Sequence, residues 1–192
     1  MVFTLWEIIQ IGITILSIGF IFSGFIKKPK LAHNYVEDLL GEHNFMKKFF
    51  NWDDIKYAIA VVAPAIILHE FGHKFVGLAM GYMSYYEMFP LGLGIGIFLR
   101  LVGSGFILFA PGYVVVPTAN VVHMGIIAFA GPLVNIILFG ASWAMLESGK
   151  FRKYARYLWI TKTINLWLFA FNMIPFGPLD GAKVLAAILS FL

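Results

Sequence analysis

A chain of 192 residues with 60% apolar and only 12% charged side chains, and a mean hydropathy of +0.85, lacks the composition of a soluble globular domain, which is about 45–50% apolar and about 25% charged. The excess suits a chain whose solvent is lipid and whose apolar side chains face outward, and the length suits one compact membrane domain. Cysteine is absent, which excludes disulfides, iron–sulfur clusters and thiolate metal sites and leaves His, Asp and Glu as metal ligands; the net charge of +4 comes from basic residues flanking apolar stretches, a topology signal and not a nucleic-acid footprint.

Residues 2–26 are almost continuously apolar, with Glu7 and Gln10 as the strongly polar exceptions. The stretch has no basic leader and no small-residue cleavage site, so it reads as a retained first span, stopped by Lys27-Lys28-Pro29-Lys30. Residues 27–54 read as a polar surface loop with a short interfacial helix, and residues 55–192 as the core of a single transmembrane domain. Residues 55–80 form the second span. Its Pro64 removes the donor that would bond the Ala60 carbonyl, which predicts a kink.

Residues 88–116 are apolar but do not read as one helix. Gly92, Gly94 and Gly96 alternate with Leu93, Ile95 and Ile97, a period of two that predicts a strand with one bare face. Arg100, the turn-like Val102-Gly103-Ser104-Gly105 and then Pro111-Gly112 interrupt the run. A membrane-dipping hairpin is expected; such backbone survives at membrane depth only where protein or a watery cavity satisfies it. Residues 121–146 form the third span, ending at the basic cluster Lys150, Arg152, Lys153 and Arg156. Residues 157–174 form the fourth, broken by Pro175-Phe176-Gly177-Pro178, and residues 181–192 are too short to span again. The expected fold is membrane all-α: about four transmembrane helices, a membrane-dipping β-like hairpin and a broken final helix.

The strongest chemical signal is His69-Glu70-Phe71-Gly72-His73. Imidazoles at i and i+4 lie on one helix face and reach a common ion. Glu70 beside them can take a proton from an attacking water, and H-E-x-x-H is the spacing of zinc hydrolases. Two histidines and a glutamate in an apolar helix are costly unless something pairs with them, so a metal accounts for them better than a structural polar cluster.

A catalytic zinc takes three protein ligands and keeps one position open. Glu87 follows the second span beside a tyrosine-rich turn, and Glu147 ends the third span where it is solvated. His33 and His43 fall in the polar loop, and His123 opens the third span as an interfacial histidine. Asp180 stands apart: it follows a stretch that two prolines keep out of regular helix, with apolar chain on both sides. A helix cap or a salt bridge to Lys183 is the competing reading. A metal ligand accounts together for the carboxylate, the broken helix and the missing third donor.

On these residues the chain resembles the site-2 protease family of intramembrane zinc metallopeptidases (peptidase family M50). His69–His73 is similar to the family's first motif, and Asn172, Pro175 and Pro178-Leu179-Asp180-Gly181 to its N-x-x-P-x-x-P-L-D-G motif. Gly131-Pro132-Leu133-Val134-Asn135 resembles the G-P-x-x-N segment between them. The resemblance runs from about residue 55 onward. It implies one catalytic zinc ion held by His69, His73 and Asp180, Glu70 as general base, and cleavage of a transmembrane protein within the lipid bilayer. It also implies that the Gly92–Gly96 strand, Asn135 and Asn172 help to position substrate. An integral, multi-pass protein of the cell membrane is expected, with no nucleic-acid partner.

Three readings compete: an intramembrane metal transporter, an inactive relative that only binds transmembrane helices, and another membrane H-E-x-x-H peptidase class with a glutamate as third ligand, against which the placement of Glu87 and Glu147 weighs. A transporter has no need of a base beside a closed imidazole pair, and the full set of Glu70 with three ligands argues against an inactive relative. The basic loops lie away from the His69–His73 end of the second span, which by the positive-inside rule turns that end outward. The resemblance implies a site nearer the cytosol.

Overall fold

The computed structural model describes residues 2–29, 50–105 and 110–192. Residues 30–49 of the expected polar loop, with His33 and His43, lie outside them. Among the described residues, nine elements follow one another: α1 (Leu5–Phe22), α2 (Trp52–Ala79), β1 (Tyr85–Met88), α3 (Pro90–Leu101), β2 (Gly112–Val115), α4 (Val121–Glu147), a 3-10 turn (Arg152–Tyr154), α5 (Ala155–Asn172) and α6 (Asp180–Leu189). Helices α1, α2 and α4 are long and apolar enough to cross a membrane. Helix α5 matches α1 in length at 18 residues but carries Arg156, Lys162 and Asn165 and is not among the helices apolar enough to cross, so three of the four expected spans meet that measure among the described residues. The fold is of the membrane all-α type.

Local chemistry starts the helices where they start. Thr4 and Glu7 form a reciprocal capping box at α1. Asn51 accepts from the Asp53 and Asp54 amides at α2, and Asn120 from the His123 amide at α4. Each satisfies amides that a helix start leaves orphaned. The core forms where α1 and α5 pack on α2, around Ile18, Val61, Val62, Ala63 and Ile66. Pro64 leaves the Ala60 carbonyl without its helical donor, and α5 supplies a substitute: the Tyr157 hydroxyl donates to that carbonyl at 2.5 Å.

The glycine-alternating segment corrects the sequence reading. Gly92, Gly94 and Gly96 lie in helix α3, not in a strand. Pro90 occupies the first turn of α3, where its missing N–H is harmless and its fixed φ favours helix. A side chain on Gly92 would strike the Ala110 carbonyl oxygen, whereas one on Gly94 would meet open space. Close backbone approach thus explains Gly92 without any strand.

The expected hairpin exists, built from the segments on either side of α3. Strands β1 and β2 pair antiparallel from Tyr85↔Val115 to Met88↔Gly112, and the Phe89 amide donates to the Pro111 carbonyl at 3.1 Å. Helix α3 is carried in the connection between the strands.

Candidate metal centre

Three elements bring the site together. Helix α2 carries His69, Glu70 and His73 on its second half; α4 lies alongside; α6 begins at Asp180 after the non-helical residues 173–179. The two Nε2 atoms of His69 and His73 are 3.1 Å apart. Asp180 Oδ2 lies 3.2 Å from each of them, and all three residues are buried.

The outer faces of the imidazoles set their protonation. His69 Nδ1 is 2.6 Å from Asn135 Oδ1, and His73 Nδ1 is 2.8 Å from the Ile127 carbonyl oxygen. The Asn135 amide is oriented by its other end, because Nδ2 donates to the Ala65 carbonyl at 3.0 Å and to Asn165 Oδ1 at 2.9 Å. Asn165 Nδ2 in turn donates to the Thr161 carbonyl at 2.8 Å. Both Nδ1 atoms therefore face acceptors and carry the ring protons, and both Nε2 atoms present lone pairs inward. With the Nδ1 protons directed outward, two imidazole nitrogens and a carboxylate oxygen converge on one point, an arrangement that a cation between them would complete.

The triangle fits a zinc-sized ion. Tetrahedral ligands at about 2.0–2.1 Å from a centre are about 3.3–3.4 Å from one another, close to the 3.1 and 3.2 Å edges found here. Gly131 of α4 keeps the space clear, since a Cβ there would run into His73 Nε2 and His69 Nε2.

The competing readings of Asp180 also have an answer in the geometry. Its Oδ1 lies 3.5 Å from Lys183 Nζ while Oδ2 faces the imidazoles, so the carboxylate serves both. It does not hold the N-cap position, which is Leu179, a residue without a side-chain cap bond; Asp180 stands in the first turn of α6. Glu70 is buried beside the triangle and interacts electrostatically with His69, Asp180 and Lys183.

Other candidates lie elsewhere. Glu87 is paired across the hairpin with Tyr113, Glu147 accepts from the Trp143 indole, and His123 Nδ1 is engaged by the Tyr82 hydroxyl at 2.6 Å. Asn172 bonds back to the Leu168 carbonyl of its own helix. Asn135, fully buried, stands behind His69 instead of facing open space, and Gly92, Gly94 and Gly96 belong to α3. The sequence reading passed over Asn165, and it noted Gly131 only as part of the G-P-x-x-N segment, without the clearance it gives the two histidines. An asparagine within the apolar run of residues 157–174 was the available signal for Asn165.

Among known proteins, the chain is 32% identical over 191 residues to a protein of Methanocaldococcus jannaschii named "Putative zinc metalloprotease", an alignment covering 93% of this chain and 83% of the relative. No family model matches the chain, and no solved structure matches it.

Proposed function

We propose that this chain, which belongs to the metalloprotease family of its Methanocaldococcus jannaschii relative, is an intramembrane zinc peptidase of the site-2 protease type (peptidase family M50) that hydrolyses peptide bonds in transmembrane segments at the cell membrane. The observation that carries this reading is the convergence of His69 Nε2, His73 Nε2 and Asp180 Oδ2 within 3.1–3.2 Å of one another, with Glu70 adjacent. In this reading those three atoms hold the ion. Bound zinc supplies Lewis acidity, which acidifies water and polarises a scissile carbonyl. Glu70 accepts the proton of the attacking water and returns it to the leaving amine. Asn135 and the Ile127 carbonyl keep the imidazoles turned inward, and Lys183 holds the second oxygen of Asp180.

The depth of the site supports a membrane-embedded substrate. His69 lies ten residues before the end of α2 at Ala79, roughly 15 Å along the helix axis, against a hydrocarbon core about 30 Å thick. A transmembrane helix must unwind before its carbonyls can be attacked, and the unwound backbone needs new partners. The role expected of Gly92–Gly96 passes to the β1–β2 hairpin, whose strands can extend onto a substrate strand.

The decisive variant is Glu70→Gln, close in shape but unable to act as a base. It is expected to keep about one zinc per chain and to lose cleavage of a co-expressed single-span protein by about 10²-fold or more. Metal analysis and cleavage measured on the same preparation decide; retained cleavage removes Glu70 from the chemistry.

A further inference from the structure

The first span carries a buried polar stripe that the proteolytic chemistry does not use. Glu7, Gln10 and Thr14 are 4%, 5% and 0% exposed, at the i, i+3, i+7 spacing that marks one helix face. Further along, the same face turns apolar at Ile18 and Ile21 and packs on α2.

The polar half faces strand β1. The Tyr86 amide donates to Glu7 Oε1 at 2.8 Å, and the Met88 amide donates to Gln10 Oε1 at 2.6 Å. Tyr86 and Met88 are alternate strand residues, so these N–H groups belong to the edge of β1 that points away from β2. One step along α1 from Glu7 to Gln10 advances roughly 4.5 Å, against roughly 6.8 Å between alternate strand residues, a difference the two flexible side chains absorb. Thr14 Oγ1 completes the row at 2.9 Å from the Tyr86 hydroxyl.

The clamp is also anchored to the metal helix. Lys74, the residue after His73 and 1% exposed, donates to Glu7 Oε1 at 2.5 Å and to the Ser84 carbonyl at 2.9 Å. Glu7 Oε2 accepts from the Thr4 amide. One carboxylate thus joins the start of α1, the helix of the histidine pair and the hairpin.

We infer that Glu7 and Gln10 act as a side-chain stand-in for a third strand: they fill the β1 edge, fix the hairpin relative to the histidine pair, and leave the β2 edge, at Gly112 and Val114, as the edge on which substrate backbone is received. This rests on the proteolytic reading for its consequence but not for its geometry. Glu7 and Gln10 are then positioning residues. An edge strand with unpaired amides pairs with whatever strand reaches it, so filling β1 selects one docking edge and one register of the substrate relative to the ion.

The test compares Gln10→Leu, which removes the acceptor, with Gln10→Glu, which keeps an oxygen for the Met88 amide. Gln10→Ala serves if the leucine variant does not fold. Amide exchange of residues 85–88 in lipid nanodiscs needs no activity. On the order of tenfold faster exchange at Met88 is expected in Gln10→Leu, with protection restored in Gln10→Glu. In a cleavage assay, Gln10→Leu is expected to raise KM several-fold and to spread the cut over neighbouring bonds by mass spectrometry, at unchanged zinc content, with Gln10→Glu restoring a single cut. Equal Met88 protection in wild type and Gln10→Leu overturns the clamp. Faster exchange with KM and cut position unchanged overturns its positioning role and leaves Gln10 structural. A wild-type protein that cuts nothing counts against the peptidase reading, while the exchange result still decides the clamp.

Discussion

Two polar clusters sit inside the apolar helices, separated by a single peptide bond, and they differ in how completely they are satisfied. Around Lys74, charges and donors balance: Lys74 meets Glu7 and the Ser84 carbonyl, and Glu7 also accepts from the Thr4 and Tyr86 amides. Around His73, three acceptor atoms point at one another across 3.1–3.2 Å while every donor faces outward. The first cluster is complete as it stands and therefore structural. The second would be completed by a cation, which is how a metal centre is expected to differ from buried polar glue.

Variants that exchange these properties test the contrast. The largest effect is expected from Asp180→Ala, which removes one of three converging donors. Zinc affinity, measured by chelator competition, is expected to fall by more than about 100-fold, beyond what loss of an outer hydrogen-bond partner causes. Equal loss is expected for His69→Ala or His73→Ala. The contrast breaks if Asp180→Ala keeps wild-type affinity while Glu87→Ala loses it.

Lys74→Met attacks the closed cluster and leaves the open one intact. It strands the Glu7 carboxylate with only amide and hydroxyl donors, and removing one partner of a buried pair costs about 3–5 kcal/mol. Denaturant or thermal unfolding in detergent reads this loss, while zinc per folded chain stays at the wild-type value. A Lys74→Met protein that is fully stable but lacks zinc reverses the assignment of the two clusters.

The smallest effect is expected one bond away from the ligands. Asn135→Ala removes the acceptor behind His69 and frees its ring to turn, so zinc affinity is expected to fall about 10–100-fold, with chain stability lowered by the unpaired Ala65 and Asn165 groups. If zinc affinity is untouched, the Asn135 contact does not hold the ligand.

What the sequence made legible depends on range. His69 and His73 are one helical turn apart, so local spacing alone places their rings together. Asp180 is more than a hundred residues away in the chain, yet proline-broken helix around a lone carboxylate in an apolar setting marked it. The orphaned Ala60 carbonyl followed from Pro64, though its partner Tyr157, 97 residues on, did not.

The Gly92–Gly96 alternation misled because five residues are too few to separate period two from period 3.6 when only glycine marks the pattern. Pro90 at a helix start was the stronger cue, and the actual strands were signalled by Tyr85-Tyr86 and Tyr113-Val114-Val115. The purpose of Glu7 and Gln10 was not legible at all. Their partners Tyr86 and Met88 lie 79 and 78 residues away, and backbone amides leave no mark in a sequence.

The open cluster is tested most directly by zinc-edge X-ray absorption on purified Glu70→Gln protein, in which substrate turnover is blocked. The arrangement of His69, His73 and Asp180 predicts a zinc shell of two imidazole nitrogens and one carboxylate oxygen at about 2.0–2.1 Å, with a remaining light ligand from solvent. A shell with one imidazole or none, or a protein that takes up no zinc, would contradict it.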